Sequence, residues 1–202
     1  MTTDILIPLG GGSYWLDNEL RYSLRSVEKH LKNYRNIYII GKMPDFLQNV
    51  IHIPMEDEHQ CKETNIYRKV LRACQIPEIS DPFLFMNDDH FFNADYDADT
   101  FPNYTKGLLW QLVKKLKTQG YKTFVERTMN VLQTKGYTSY HFDIHMPILY
   151  DKKKFIAAMA QYDWTNKYGY VVKSLYANTI GLQGEKAKDC KINLKNSTVE
   201  YF

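Results

Sequence analysis

The chain has 202 residues, 44% of them hydrophobic and 14% aromatic, with a formal net charge of +3. That is enough apolar material for one domain-sized core, and too little positive charge to imply nucleic acid by itself. Apolar runs stop at about five to seven residues, short of the roughly 20 that a membrane helix requires, and Met1-Thr2-Thr3-Asp4 lacks the basic and apolar regions of a secretory leader. The expectation is a cytoplasmic protein with no membrane span. Cys61, Cys74 and Cys190 are odd in number and widely spaced, which suggests reduced thiols rather than a disulfide framework or a zinc cage.

Asp4 to Leu9 is a β-rich run, and Gly10-Gly11-Gly12-Ser13 follows at once, a loop that either turns the chain or lets the backbone approach a nucleotide. From Asn18 to Leu31 the apolar residues Leu20, Leu24, Val27 and Leu31 recur at helical spacing, with Asp17 or Asn18 available as the N-cap. Arg21 and Arg25 lie one turn apart on the other side. Asn36 to Ile40, ending at Gly41, predicts a second strand, Val50 to Ile53 a third, and Thr64 to Cys74 a helix burying Ile66, Val70 and Ala73. Phe83 to Met86 is the fourth strand. Strands alternating with helices indicate an α/β fold with a mostly parallel central sheet flanked by helices, in which ligands bind beyond the carboxyl ends of the strands.

The second half is less regular and more helical: 107–117, 124–133, 152–162 and 168–178 all read as helices. Lysines cluster at Lys114, Lys115, Lys117 and Lys122, and again at Lys152, Lys153 and Lys154, as solvated helix faces do. With no repeat or linker, the division is one domain over 1–185 and a polar tail over 186–202.

The chemistry concentrates where the fourth strand ends. Phe83-Leu84-Phe85-Met86 stops on Asn87-Asp88-Asp89-His90, and the apolar Phe91-Phe92 follows. Carboxylates so close to a core must be hydrated, paired or metal-bound to offset their desolvation. Two Asp residues offer hard oxygen ligands, suited to Mg²⁺ or Mn²⁺ bridged to a diphosphate, so Asp88 and Asp89 are the candidate metal ligands. A second candidate is His141-Phe142-Asp143-Ile144-His145, where alternation puts His141, Asp143 and His145 on one face; a base for an attacking hydroxyl, or a metal ligand, would come from there. Arg21 and Arg25 offer forked donors to phosphate or pair at the surface. Lys173 either reaches a donor diphosphate or snorkels to solvent. His52 and His59 read as structural or solvated, and Tyr14, Trp15, Trp110 and Trp164 as packing aromatics or sugar-stacking platforms.

Asn18 to Lys29, then Arg35 to Gly41, Phe83 to Phe92 and His145-Met146-Pro147 together resemble the ordered motifs of the Stealth family, the capsular polysaccharide phosphotransferases and the lysosomal-enzyme N-acetylglucosamine phosphotransferase. The resemblance implies a single Rossmann-like domain of GT-A type, a divalent metal, and a nucleotide-sugar donor, most often a UDP-sugar. It implies metal and catalytic roles for Asp88 and Asp89 and a catalytic role for His145; Asp143 is a catalytic candidate through its place on the same face as His145. Gly10, Gly11, Gly12, Arg21, Arg25, Asn87 and Lys173 fall on the donor side, Lys173-Ser174 standing where the family has Arg-Ser. The opening strand differs from the family's Asp-Val-Tyr-Thr-Trp-Val type, which leaves the nucleotide open, and the chain is shorter than typical members.

The leading expectation is therefore a metal-dependent transferase moving a sugar, or a sugar 1-phosphate, from a nucleotide-sugar to a hydroxyl on a glycan. Two others stand beside it: a glycosyltransferase acting on modified bases of DNA, using the lysine clusters on phosphates, and a non-catalytic carbohydrate- or nucleotide-binding module.

Overall fold

The computed structural model describes residues 3–117 and 119–188. Cys190 and most of the polar tail at 186–202 lie outside the described residues. The elements in chain order are β1 (Thr3–Leu9), α1 (Asn18–His30), β2 (Leu31–Lys32), β3 (Tyr34–Gly41), β4 (Ile51–Ile53), α2 (Lys62–Cys74), β5 (Phe83–Phe85), β6 (Tyr96–Asp97), β7 (Tyr104–Thr105), α3 (Leu109–Val113), α4 (Gln119–Thr134), β8 (Ile148–Tyr150), α5 (Lys152–Met159), α6 (Val172–Thr179) and β9 (Glu185–Lys186).

The central sheet runs β4-β3-β1-β5-β8. Its first four strands are mutually parallel, and β8 closes the edge antiparallel to β5, with Phe83 opposite Tyr150 and Phe85 opposite Ile148. The α/β expectation with a mostly parallel, helix-flanked sheet is what the structure has, compatible with a single Rossmann-like domain. Strand β8 was not foreseen. Two further parallel pairs, β2 with β6 and β7 with β9, lie outside the main sheet.

Every residue of β1 is buried, as expected of a central parallel strand covered on both faces. The period of two sorts its side chains: Ile5, Ile7 and Leu9 join Leu20 and Val27 of α1, while Leu6 joins Val70 of α2 and the aromatic cluster of Phe83, Phe85, Tyr150, Phe155 and Tyr176. The rings of Tyr150 and Tyr176 meet edge to face at 4.7 Å. Each such buried side chain contributes on the order of 2 kcal/mol through apolar area removed from water.

The amino end of β1 is fastened by charge. Asp4 is fully buried, and its carboxylate accepts from Arg35 Nε at 3.0 Å, Arg35 Nη2 at 2.5 Å, Asn36 N at 3.1 Å and Ser80 N at 2.8 Å. Four donors saturate its lone pairs. With this end of the sheet closed, the carboxyl ends of β1 and β5 are the ones that open onto cavities.

The predicted helices at 107–117, 152–162 and 168–178 are shorter in the structure, and 124–133 is longer, starting at Gln119. Asp17 does precede α1, yet in left-handed conformation (φ 56°) and with no capping hydrogen bond from its side chain. Among the described residues no helix is long and apolar enough to cross a membrane.

Candidate functional site

In sheet order β1 is flanked by β3 on one side and β5 on the other, so the chain reverses its winding between β1 and β5. The crevice at such a switch point is where open α/β sheets bind ligands. Gly10, Gly11 and Gly12 leave the end of β1 there, and Asn87, Asp88 and Asp89 leave the end of β5. A cavity of about 440 Å³ lies between them, lined by these six residues together with Glu19, Asp57, Lys62 and Lys69.

A second cavity, of about 570 Å³, adjoins it. Its polar wall carries Glu63, Asp89, Asp143 and His145, and its apolar wall is formed by Leu112, Leu116, Tyr121 and Phe124 from α3, α4 and the segment between them. Lys62, Ile66, Asn87 and Asp89 line both cavities. Asp89 thus stands on the ridge between two chambers, with His145 Nε2 3.8 Å from its Oδ2.

The electrostatics of the ridge are unfavourable in the absence of a cation. Burial first, then the charge of Asp89, with Glu19 adding to it, raises the Asp88 carboxyl to about 6, and Lys62 opposes the shift. Asp89 Oδ1 and Glu19 Oε2 are buried without hydrogen-bond partners. Orphaned carboxylate oxygens beside a like-charged neighbour fit a divalent ion, which would satisfy the first and neutralise the second. Among the described residues no three His, Cys, Asp or Glu side chains converge on a single metal position. A cation at Asp88 and Asp89 would therefore take the rest of its shell from water and phosphate, the habit of Mg²⁺ and Mn²⁺.

His145 is held by its surroundings. Lys173 is buried and its ammonium donates to the carbonyls of Ile144 and, at 3.0 Å, Met146, the two residues flanking His145. Asp143 accepts from the backbone N–H groups of Lys173 at 3.2 Å and Ser174 at 2.8 Å, at the start of α6. His90 packs edge-on against His145 with ring centroids 6.5 Å apart. Burial, reinforced by Lys173 and His145, pushes His90 well below the ordinary histidine range, so it is a neutral ring.

Several expectations are relocated by this arrangement. Lys173 does not line the first cavity; it clamps the His145 segment to α6, because a buried ammonium takes the nearest carbonyls. Both carboxylate oxygens of Asp143 are engaged at the α6 terminus, which makes it a holder of that segment rather than a free base. Arg21 and Arg25 lie outside both cavities: α1 buries Leu20, Ser23 and Val27, leaving Arg21 stacked on Phe46 at 3.6 Å and Arg25 near the Tyr22 ring at 5.6 Å. Glu19 is the α1 residue that reaches the crevice. His141 lines the second cavity, and His52 Nε2 donates to Gly41 O at 2.8 Å. Trp164 packs on Tyr67 at 3.9 Å, and Trp15 on Tyr22 at 5.5 Å.

Three site residues had no signal of their own in the sequence. Lys62 and Glu63 open α2 and reach the site only because the helix begins two residues before the predicted Thr64. Asp57 belongs to the β4–α2 loop. Burial, then the charge of Asp143, raises the Glu63 carboxyl to about 8, so this acid is protonated at neutral pH.

No protein-family model matches the chain. Over a 109-residue alignment the chain is 33% identical to the N-acetylglucosamine-1-phosphotransferase subunits alpha/beta of Mus musculus and 32% identical to those of Homo sapiens. Each alignment covers 45% of this chain and 8% of the relative, so the chain spans a small part of the length of the curated proteins it matches. The likeness is distant, and it is to a sugar-phosphate transferase.

Proposed function

We propose that the protein is a transferase that moves a sugar 1-phosphate, or the sugar alone, from a nucleotide-sugar to a hydroxyl of a glycan acceptor, in a GT-A-like core with Mn²⁺ or Mg²⁺. The observation that carries this reading is Asp89, shared by two cavities at the switch point, carrying an orphaned oxygen on one side and His145 at 3.8 Å on the other. The distant likeness to N-acetylglucosamine-1-phosphotransferase subunits supports the same chemistry.

The first cavity takes the donor and the second the acceptor. Asp88 and Asp89 would hold the cation, which would supply positive charge to offset the negative charge of a departing phosphate. Lys62, at the border of both cavities, adds a point charge for the diphosphate. In sugar-phosphate transfer the acceptor oxygen bonds to the sugar-bearing phosphorus, the bond to the bridging oxygen breaks, and the nucleoside monophosphate departs with the electron pair. His145, whose Nε2 lies 3.8 Å from Asp89 Oδ2, takes the hydroxyl proton. Transfer of the sugar alone puts the attack at the anomeric carbon and releases the nucleoside diphosphate instead.

The test is turnover with a panel of UDP-sugars, Mn²⁺ or Mg²⁺ and glycan acceptors. UMP identifies phosphosugar transfer and UDP identifies sugar transfer. Failure of every donor either to bind or to turn over sinks the reading.

A further inference from the structure

The first cavity contains a charged pair that the mechanism above does not use. Lys69, on α2, is almost wholly buried, and its ammonium donates to Leu9 O at 2.8 Å and to Asp57 Oδ1 at 2.5 Å. The ammonium reaches the end of β1 because Gly41 has no side chain: a Cβ there would lie 2.9 Å from Lys69 Nζ and 2.0 Å from Leu9 O, at a φ of +121°. Asp57 is exposed to the cavity. One of its oxygens is held by the lysine, and the other, Oδ2, lies over Gly10, only 2.8 Å from where a Cβ would stand. A buried cation, admitted by Gly41, fixes one half of a carboxylate, and the missing side chain of Gly10 leaves room for the other half.

This inference rests on the transferase reading and assigns the other end of the same donor. A carboxylate cannot face a diphosphate, because two anions repel at short range. The diphosphate belongs with Lys62 and the cation at Asp88 and Asp89. Asp57 must then meet the uncharged part of the nucleotide, and an ionised carboxylate is an acceptor only. We propose that Asp57, positioned by Lys69, receives the hydrogen-bond donors of the nucleoside half of the donor. Two kinds of such donor exist on the uridine of UDP: the imide N–H of the base and the two ribose hydroxyls. Cytosine offers a lone pair where uracil offers the imide proton, so a carboxylate facing the base edge discriminates between them, whereas one facing the ribose does not.

The experiment is calorimetric titration of the full chain, in Mn²⁺, with UDP, CDP and 2′- and 3′-deoxy-UDP, for the wild type and Asp57→Asn. Loss of a hydrogen bond to a charged acceptor weakens UDP binding about 10- to 100-fold. If the base is read, Asp57→Asn also narrows or reverses the UDP-over-CDP preference. If the ribose is read, UDP and CDP weaken together, and the deoxy-nucleotide lacking the contacted hydroxyl binds wild type as weakly as UDP binds the variant. Gly10→Ala is the second variant: its added methyl group would stand 2.8 Å from Oδ2 and displace it, and it weakens UDP in the same pattern. Wild type that binds UDP while both variants bind it equally well refutes the Asp57 assignment and leaves the transferase reading intact. Wild type that binds no nucleotide refutes both.

Discussion

Replacing Lys173 with methionine separates two roles that a buried lysine near a phosphate site can have. The substitution keeps the length of the stem and removes the ammonium, leaving the carbonyls of Ile144 and Met146 without this donor. A buried acceptor stripped of its partner costs about 1–3 kcal/mol. Two of them, less the desolvation that the ammonium no longer suffers, give a net loss of about 2–4 kcal/mol. For a domain of this size that lowers Tm by about 5–15 °C. The same loss frees the segment carrying His145, so kcat falls by at least about tenfold, since small displacements of a catalytic group are costly. Lys173 does not line the first cavity, so on the proposed reading UDP affinity stays within about twofold. Thermal melts, calorimetry with UDP and steady-state kinetics measure the three quantities separately. A Lys173→Met protein with wild-type Tm and a weakened Kd for UDP would show that the ammonium serves the donor, and would refute the clamp.

Other perturbations test the remaining electrostatics. Asp88→Asn relieves a carboxyl raised to about 6 by burial and by Asp89, so the metal-free variant melts higher at pH 7 by the equivalent of about 1–3 kcal/mol while turnover is lost; a lower Tm would contradict the crowding of charge at the ridge. Glu63 is raised to about 8, well above its unfolded value, so the folded state holds a proton that the unfolded chain releases. Its contribution to stability is complete below about pH 4.5 and is lost as pH rises to about 8, at up to about 1.4 kcal/mol per pH unit. Urea unfolding of Glu63→Gln between pH 6 and 8 is accordingly flatter than that of wild type; parallel curves would show that Glu63 is ionised throughout. Asp4→Ala strands the donors of Arg35, Asn36 and Ser80 and lowers stability by about 3–5 kcal/mol, read as a fall in the urea midpoint; a loss under about 1 kcal/mol would mean that water replaces the carboxylate.

The parts of the fold legible in the sequence are those whose signal is local. β1, β3 and β5 are apolar runs with sharp ends, and α1 and α2 carry helical spacing of apolar residues. β8 is three residues long and follows Pro147; its strand character comes from pairing with β5, a contact no local window contains. Asp88 and Asp89 stood out because charge interrupts an apolar run. Asp57, Lys62 and Glu63 are ordinary polar residues until the β4–α2 connection returns Asp57 and Lys62 to the first cavity and Glu63 to the second. The spacing of Arg21 and Arg25 placed them on one helical face, but the direction of that face is set by what Leu20, Ser23 and Val27 pack against.

The narrowness of the partition at Lys62, Ile66, Asn87 and Asp89 has a bearing on fidelity. For a group-transfer enzyme, a chamber left vacant on one side of so thin a wall admits solvent to the reacting bond, and the activated donor is squandered by hydrolysis. Discrimination between a productive partner and water then falls to the greasy wall of Leu112, Leu116, Tyr121 and Phe124, which has to be covered by the incoming molecule. A polar substitution there would betray itself as uncoupling, with more donor consumed for each product made.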